Sequence, residues 1–365
     1  MSRKPTMVFA GDFWDGASGA GLAEGFRRCG WAVQEVDRAK FALPRTRSLV
    51  SRIAARLTAT ETAHAFQEAV VRECSVLKPD VFLTIKGAGV DIATLRKLRK
   101  IRVPTVMFYP DVSFDHPQVS INSFNEYDLF VTTKSFQIDY LSDLLGADRV
   151  AYVPHGYVDG THAPLFESAD VRQSFDVFYA GNHSAEKQVW LERLAKGVPD
   201  ASIGIVGNRW DQTAGGPLRK ATFLGEQLAV AYAQSIQKAC INVAVHFGAA
   251  PNGWADLVST RTFEIPACKG FMLHIDNPEV REFFDVGTEI DTFATAEELC
   301  DKVRFYLDRP ELRAAMIERA YARCVPAYGC AARARRIDEL LHQTGLAPSG
   351  AVGRKAEERY HASDQ

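Results

Sequence analysis

The sequence predicts an α/β protein of two domains, each a parallel sheet covered by helices. Three observations carry this. Short apolar runs alternate with amphipathic stretches along most of the chain, the pattern of βαβ units. The runs are apolar at consecutive positions rather than every second one, as strands buried on both faces require. The pattern breaks across 157–172 and then restarts, and 365 residues are too many for one ordinary core.

Residues 7–10 read as the first strand. Gly11, Asp12, Gly16, Gly19 and Gly21 follow, then a helix through Leu22, Phe26 and Cys29 that Gly30 closes, then a strand over 31–36. Glycines at a strand-to-helix turn aim backbone N–H groups at an anion, or let a ligand approach closely. A dinucleotide turn needs G-x-G-x-x-G and an acid at the end of the next strand. Asp37 meets the second condition, but the order Gly16-x-x-Gly19-x-Gly21 fails the first and Phe13 and Trp14 lengthen the loop. We therefore read it as lining a substrate cleft. A basic stretch over 41–60 containing Pro44 reads as loop then helix, and 62–77 as an amphipathic helix. Strands follow at 81–85, ended by Lys86, and at 105–109, ended by Pro110 and Asp111, with a basic helix over 91–100 between them. A strand at 129–133, a helix at 136–145 and a strand at 150–153, ended by Pro154, His155 and Gly156, complete a first domain of 1–160.

The linker is placed at 157–172 and the second domain at 170–328. A strand at 176–180 runs into Gly181 and His183, before a helix over 185–194. A strand at 201–206 ends at Gly207 and Arg209. A short strand end at 223–225, a helix at 228–239 and a strand at 241–246 lead to the stretch Asp256 to Gly270. That stretch reads as a short helix ending at Gly270 and feeding an apolar strand over 271–275. Helices over 279–284, 297–307, 310–323 and 330–342 follow, and from 345 the composition is that of a disordered tail.

Composition excludes several classes. The chain is 47% hydrophobic and 24% charged, as soluble globular proteins are, and its net charge of −2 gives no overall basic field for nucleic acid. No apolar run approaches the roughly 20 residues that span a bilayer. The basic N-terminus precedes only a short strand-like run, unlike a signal peptide. The expectation is a cytoplasmic protein, with peripheral membrane contact open through the basic run 96–100. Seven scattered cysteines without a CxxC pair read as reduced core thiols. Asp111, Asp115 and His116 fit no closed zinc spacing, so no metal is expected.

In open parallel sheets ligands bind beyond the carboxyl ends of the strands. Asp12, Lys86, Asp111 and His155 fall there in the first half, and His183, Arg209 and residues 252–256 in the second. His183 and Lys187 sit at a strand-to-helix turn, where a cation and helix N–H groups suit a diphosphate. Asp256 and Glu264 have seven residues between them, and Arg261 lies close to Glu264. Charged groups packed against an apolar strand need a partner, because an unpaired buried charge is costly.

Asp176-Val-Phe-Tyr-Ala-Gly181, Ile205-Val-Gly207-Asn-Arg-Trp210, Arg261-Thr-Phe-Glu264-Ile-Pro-Ala-Cys-Lys-Gly270 and Glu282-Phe-Phe-Asp-Val-Gly287 together resemble the CgeB-like (spore maturation protein type) group of GT-B fold glycosyltransferases. Lys78-Pro-Asp80, Lys86-Gly87 and Tyr109-Pro-Asp111 resemble it more loosely. The resemblance implies two Rossmann-like domains with parallel sheets facing a central cleft, and a nucleoside-diphosphate-sugar donor held by the second. It implies that Glu264 binds the nucleotide ribose and that Asp256 stands where related retaining enzymes carry a glutamate near the donor sugar. The diphosphate would meet His183, Lys187, Arg209 or Arg261, beside Gly181 and Gly207. If the reaction inverts, Asp12, Asp15 or Asp111 is the base that activates the acceptor. Gly16, Gly19, Lys86 and His155 would lie on the acceptor side. The implied activity is metal-independent, retaining transfer without a cofactor to an unknown glycan, protein or small-molecule acceptor. A binding module without turnover and a sugar-nucleotide epimerase are the alternatives. The helix over 329–343 either packs on the second domain or crosses back to the first.

Overall fold

The computed structural model describes residues 3–41, 58–87, 89–115, 119–166, 173–246 and 253–348. Most of the basic stretch 41–60, His116, residues 167–172 of the expected linker, Asn252 and the chain from 349 lie outside the described residues.

The described chain forms two compact units: one from residues up to Pro154 together with Arg333 onward, the other His155–Ala332. The first holds strands β1 (Thr6–Gly11), β2 (Ala32–Asp37), β3 (Val81–Ile85), β4 (Thr105–Tyr109), β5 (Leu129–Thr132) and β6 (Val150–Tyr152). All its pairings are parallel, in the order β2-β1-β3-β4-β5-β6. The central strands carry buried residues on both faces: Met7, Val8, Phe9 and Ala10 in β1 are all fully buried. That is why their sequences run apolar without alternation. The edge strands β2 and β6 are only partly covered. Helices α1 (Ser18–Arg28), α2 (Ala59–Leu77), α3 (Ile92–Lys100) and α4 (Ile138–Leu145) make the crossovers. Asp91 starts α3 by accepting from the Thr94 N–H at 2.7 Å.

The second sheet holds β7 (Phe175–Ala180), β8 (Ile203–Val206), β9 (Thr222–Phe223), β10 (Ala239–Ala244), β11 (Met272–Ile275) and β12 (Asp291–Phe293), again all parallel. Its order is β12-β11-β10-β7-β8-β9. The connecting helices are α5 (Ala185–Gly197), α6 (Ala229–Gln237), α7 (Thr260–Ala267), α8 (Pro278–Phe283), α9 (Ala296–Leu307) and α10 (Pro310–Cys324). In each sheet chain order reverses beside the first strand, between β1 and β3 and between β7 and β10. A ligand of such a sheet sits at that switch point, beyond the carboxyl ends.

Four features differ from the sequence reading. The segment expected as a linker is packed where it is described: Tyr157, Val158 and His162 are buried in the second unit. His155, expected with the first domain, is the first residue of the second unit. The chain stays folded past 345, because Leu346 and Ala347 both donate to the Leu341 carbonyl and Ala347 is buried. The helix before β11 ends at Ala267, and its left-handed residue is Lys269 (φ +55°), not Gly270. Gly270 serves close packing instead: a Cβ there would lie 2.6 Å from Ile236 and 2.8 Å from the Asn242 amide.

The last helix, α11 (Cys330–Gln343), places Ala334, Ile337 and Leu341 in the core of the first unit with Phe9, Phe26 and Trp31. The Trp31 indole N–H donates to Asp338 at 2.7 Å. Burial raises the Asp338 pKa, so this bond satisfies a partly desolvated carboxyl. Trp31→Phe should therefore lower the stability of the first unit by about 2 kcal/mol, the value of a hydrogen bond to a charged group. Denaturant unfolding followed by circular dichroism checks this; an unchanged midpoint would remove Asp338 as the anchor.

Candidate functional site

Two strands of the second unit end in glycines that lie against each other. β7 runs into Gly181 and β8 into Gly207. Gly207 has φ +137°, and a Cβ on it would lie 2.2 Å from the Gly181 carbonyl oxygen. Only glycine allows this approach. A Cβ on Gly181 would in turn lie 2.7 Å from the Tyr179 hydroxyl and 3.5 Å from Arg261 Nη1. The space beside the β7 end is therefore lined by polar groups and kept open by the missing side chain.

Two cations face this region. Lys187 lies in the first turn of α5, whose Ser184 cap accepts from the Lys187 N–H. Its side chain is buried and donates to the Asn182 carbonyl at 3.2 Å. Burial, and then the Arg261 charge, push its pKa down to about 8, while Asp256 and Glu186 act in the opposite direction. Arg261 stands in the first turn of α7. Burial works against its charge, but Tyr179, Tyr232, Glu264 and Asp256 outweigh that and raise its pKa. Arg261 Nε and the Tyr179 hydroxyl are both buried, and neither has a hydrogen-bond partner among the described residues. Buried polar groups are nearly always paired, so two adjacent orphans at a switch point make this the candidate ligand site.

Glu264 lies further along α7 and is buried. Its Oε2 accepts from the Tyr232 hydroxyl at 3.0 Å. His162 Nδ1 lies 3.9 Å from Oε1, but that nitrogen accepts the Val158 N–H at 3.0 Å and so carries no proton to share. Among the described residues no ion pair joins Glu264 to Arg261; the sequence left open whether Arg261 is its partner. Oε1 thus keeps its accepting capacity. Asp256 acts electrostatically on both Lys187 and Arg261, so the stretch from Asp256 to Glu264 does converge with α5.

Two expected phosphate ligands are placed differently. The His183 ring is engaged at both nitrogens, by Gln188 Oε1 at 2.8 Å and Gln212 Nε2 at 3.0 Å, and meets Trp210 edge-on. It donates from Nε2 and accepts at Nδ1, so it organises the turn instead of offering a free cation. Arg209 is exposed in the left-handed region (φ +67°) and makes no hydrogen bond or ion pair among the described residues.

In the first unit the expected residues gather at the β1, β3 and β4 ends, but as closed pairs. Arg38 grips Asp12 with two bonds, at 3.1 and 2.6 Å. Lys86 pairs with Asp111 at 2.7 Å, from a left-handed backbone (φ +61°). The buried Gln137 donates to the carbonyls of Asp111 and Val112, which holds that loop. Gly16 takes φ +87° in the turn after β1, and Gly19 packs on the Asp12 carbonyl. Among the described residues no group of three or more acidic, histidine or cysteine side chains is arranged to hold a metal. No described helix is long and apolar enough to cross a membrane.

The sequence reading missed Tyr179, Tyr232, Thr262, His246 and His274. One signal was present: His274 interrupts the run Phe-Met-Leu-His-Ile, and a histidine inside a buried strand needs a polar partner.

Residues 183–339 match the family model described as glycosyl transferase-like. Among solved structures, sucrose-phosphate synthase from Thermosynechococcus elongatus is similar over 93% of this chain and 98% of its own, with TM-score 0.64 and 13% identity. A glycosyltransferase from Rickettsia africae is similar over 94% and 99%, with TM-score 0.65 and 12% identity. Anabaena HepE in complex with UDP is similar over 93% and 100%, with TM-score 0.61 and 12% identity. No curated protein matches the chain. The fold is thus GT-B, and within it residues 183–339 are similar to the glycosyl transferase-like family.

The Lys187 environment has a pH signature. Its pKa falls from 10.5 to about 8 on folding, so between these values the unfolded chain holds the extra proton and stability rises with pH. Lys187→Met should be more stable than the parent at pH 7, and the gap should narrow as pH climbs from 8 towards 10.5. Melting temperatures of both proteins across that range test it; a constant gap would contradict the buried, charged lysine.

Proposed function

We propose that the chain transfers a glycosyl group from a nucleoside-diphosphate sugar to a glycan, protein or small-molecule acceptor, with retention and without a metal. The observation that carries the reading is the pair of unsatisfied buried groups, Arg261 Nε and the Tyr179 hydroxyl, beside Gly181 and Lys187. A diphosphate supplies acceptor oxygens for all of them. Its charge relieves the repulsion between Lys187 and Arg261, and the N-termini of α5 and α7 add favourable dipoles. The uncommitted Oε1 of Glu264 suits a ribose hydroxyl, with Tyr232 holding the other oxygen.

When the bond between the anomeric carbon and the phosphate oxygen breaks, negative charge grows on the departing diphosphate. Fixed cations in a poorly hydrated place stabilise that charge without reorganising, which is the work a metal would otherwise do. Retention is supported by Asp12 and Asp111, which are each committed to a cation. The leaving phosphate oxygen then takes the acceptor's proton as the new glycosidic bond forms. Asp256, beside both cations, is placed to orient them and the donor sugar. The run Arg261 to Gly270 supports the CgeB-like subtype, and use of nucleotide sugars supports a cytoplasmic site of action.

HepE is described with UDP, which makes UDP the first probe. Glu264→Ala should lose about 10- to 100-fold in UDP affinity by calorimetry, as for a hydrogen bond to a charged group of roughly 1.5–3 kcal/mol. Unchanged affinity would remove Glu264 from the site. Because a bound diphosphate favours protonated Lys187, UDP affinity should fall as pH rises through about 8. Lys187→Met should abolish that dependence.

A further inference from the structure

A chain of buried hydrogen bonds runs from the first turn of α7 to the ends of β10 and β11. The Ser259 N–H donates to Thr262 Oγ1 at 3.1 Å. Thr262 Oγ1 lies 3.0 Å from His274 Nε2, and His246 Nε2 lies 2.8 Å from the same atom. His274 Nδ1 is 2.7 Å from the Ile275 carbonyl oxygen. Thr262 and His274 are fully buried and His246 nearly so.

Proton positions follow from these contacts. His274 Nδ1 must carry hydrogen to face a carbonyl. Burial chiefly holds the ring's pKa at about 4, so it is neutral near pH 7 and Nε2 is bare. His246 Nε2 must then donate to it, and the Thr262 hydroxyl, its own lone pair taken by the Ser259 N–H, donates to it as well. One acceptor thus collects two donors, one from α7 and one from the segment that follows β10. An apolar residue at 274 would fill the strand equally well but collect neither.

We infer that His274 is a positioning residue, which with Thr262 and His246 fixes the turn of α7 that presents Arg261 to the diphosphate; this rests on the donor reading above. Thr262 is the next residue after Arg261. Glu264 has its own anchor in Tyr232. The two halves of a nucleotide are thereby held by separate supports, the phosphate side by the histidine relay and the ribose side by Tyr232.

The test is calorimetric titration of UDP, with uridine as a competitor, into the parent, Thr262→Ser, Thr262→Val, His274→Leu and Arg261→Ala, with melting temperatures recorded. Thr262→Ser keeps the hydroxyl and should bind UDP within about twofold of the parent. Thr262→Val, nearly isosteric, and His274→Leu should each lose tenfold or more in UDP affinity while uridine affinity holds, including under conditions where the variants are fully folded. Equal loss of UDP and uridine binding would show a merely structural role and overturn the inference. So would parental UDP affinity in Thr262→Val when Arg261→Ala has lost it, a result that leaves the donor reading standing. Parental affinity in Arg261→Ala would strike the donor reading itself, and the inference with it.

Discussion

Lys187 and Arg261 bring like charges together where water reaches poorly. Like charges repel more strongly at the effective dielectric of a protein interior than in water, and each also loses hydration. The depressed Lys187 pKa is the trace of both effects. Asp256 offsets part of the repulsion, and Arg261 keeps its proton through its acidic and phenolic neighbours. A fold selected for stability alone would place aliphatic side chains here. Much of the second unit's local geometry follows from tolerating this pair: glycines at two strand ends, two helix N-termini at one switch point, and polar groups left without partners.

Short α7 is where these demands meet. It presents a cation in its first turn and a carboxylate in its second, and each is braced by residues outside the helix. Tyr232 donates to Glu264 from α6, and the ends of β10 and β11 reach Thr262 through His246 and His274. Gly270 lets the chain leave the helix close against Ile236 and Asn242, which keeps α7 tight on the sheet. In the first unit the charged residues at the strand ends instead neutralise each other, Arg38 with Asp12 and Lys86 with Asp111.

Much of the architecture was legible in the chain. Strands such as 81–85 and 105–109 announce themselves because a parallel sheet buries both faces, and Glu264 and Arg261 stood out as charges beside an apolar run. The misreadings have local causes. Gly270 looked like a helix stop because glycine so often ends helices, yet here Lys269 turns the chain and Gly270 only makes room. His183 looked like a phosphate ligand because it follows a strand, but the glutamines that occupy it come from Gln188 and from Gln212, 29 residues away. His274 was absorbed into an apolar strand, since its partners His246 and Thr262 lie 28 and 12 residues away in sequence.

By itself, then, the sequence determined the alternation of strand and helix, the two sheets, and which residue types gather at strand ends, because these depend on hydrophobic period and on turn chemistry within a few residues. Only the tertiary structure decided which of those polar groups are spent on one another and which remain open. That choice depends on distances between segments far apart in the chain, where a shift of an ångström separates a satisfied hydrogen bond from a buried orphan.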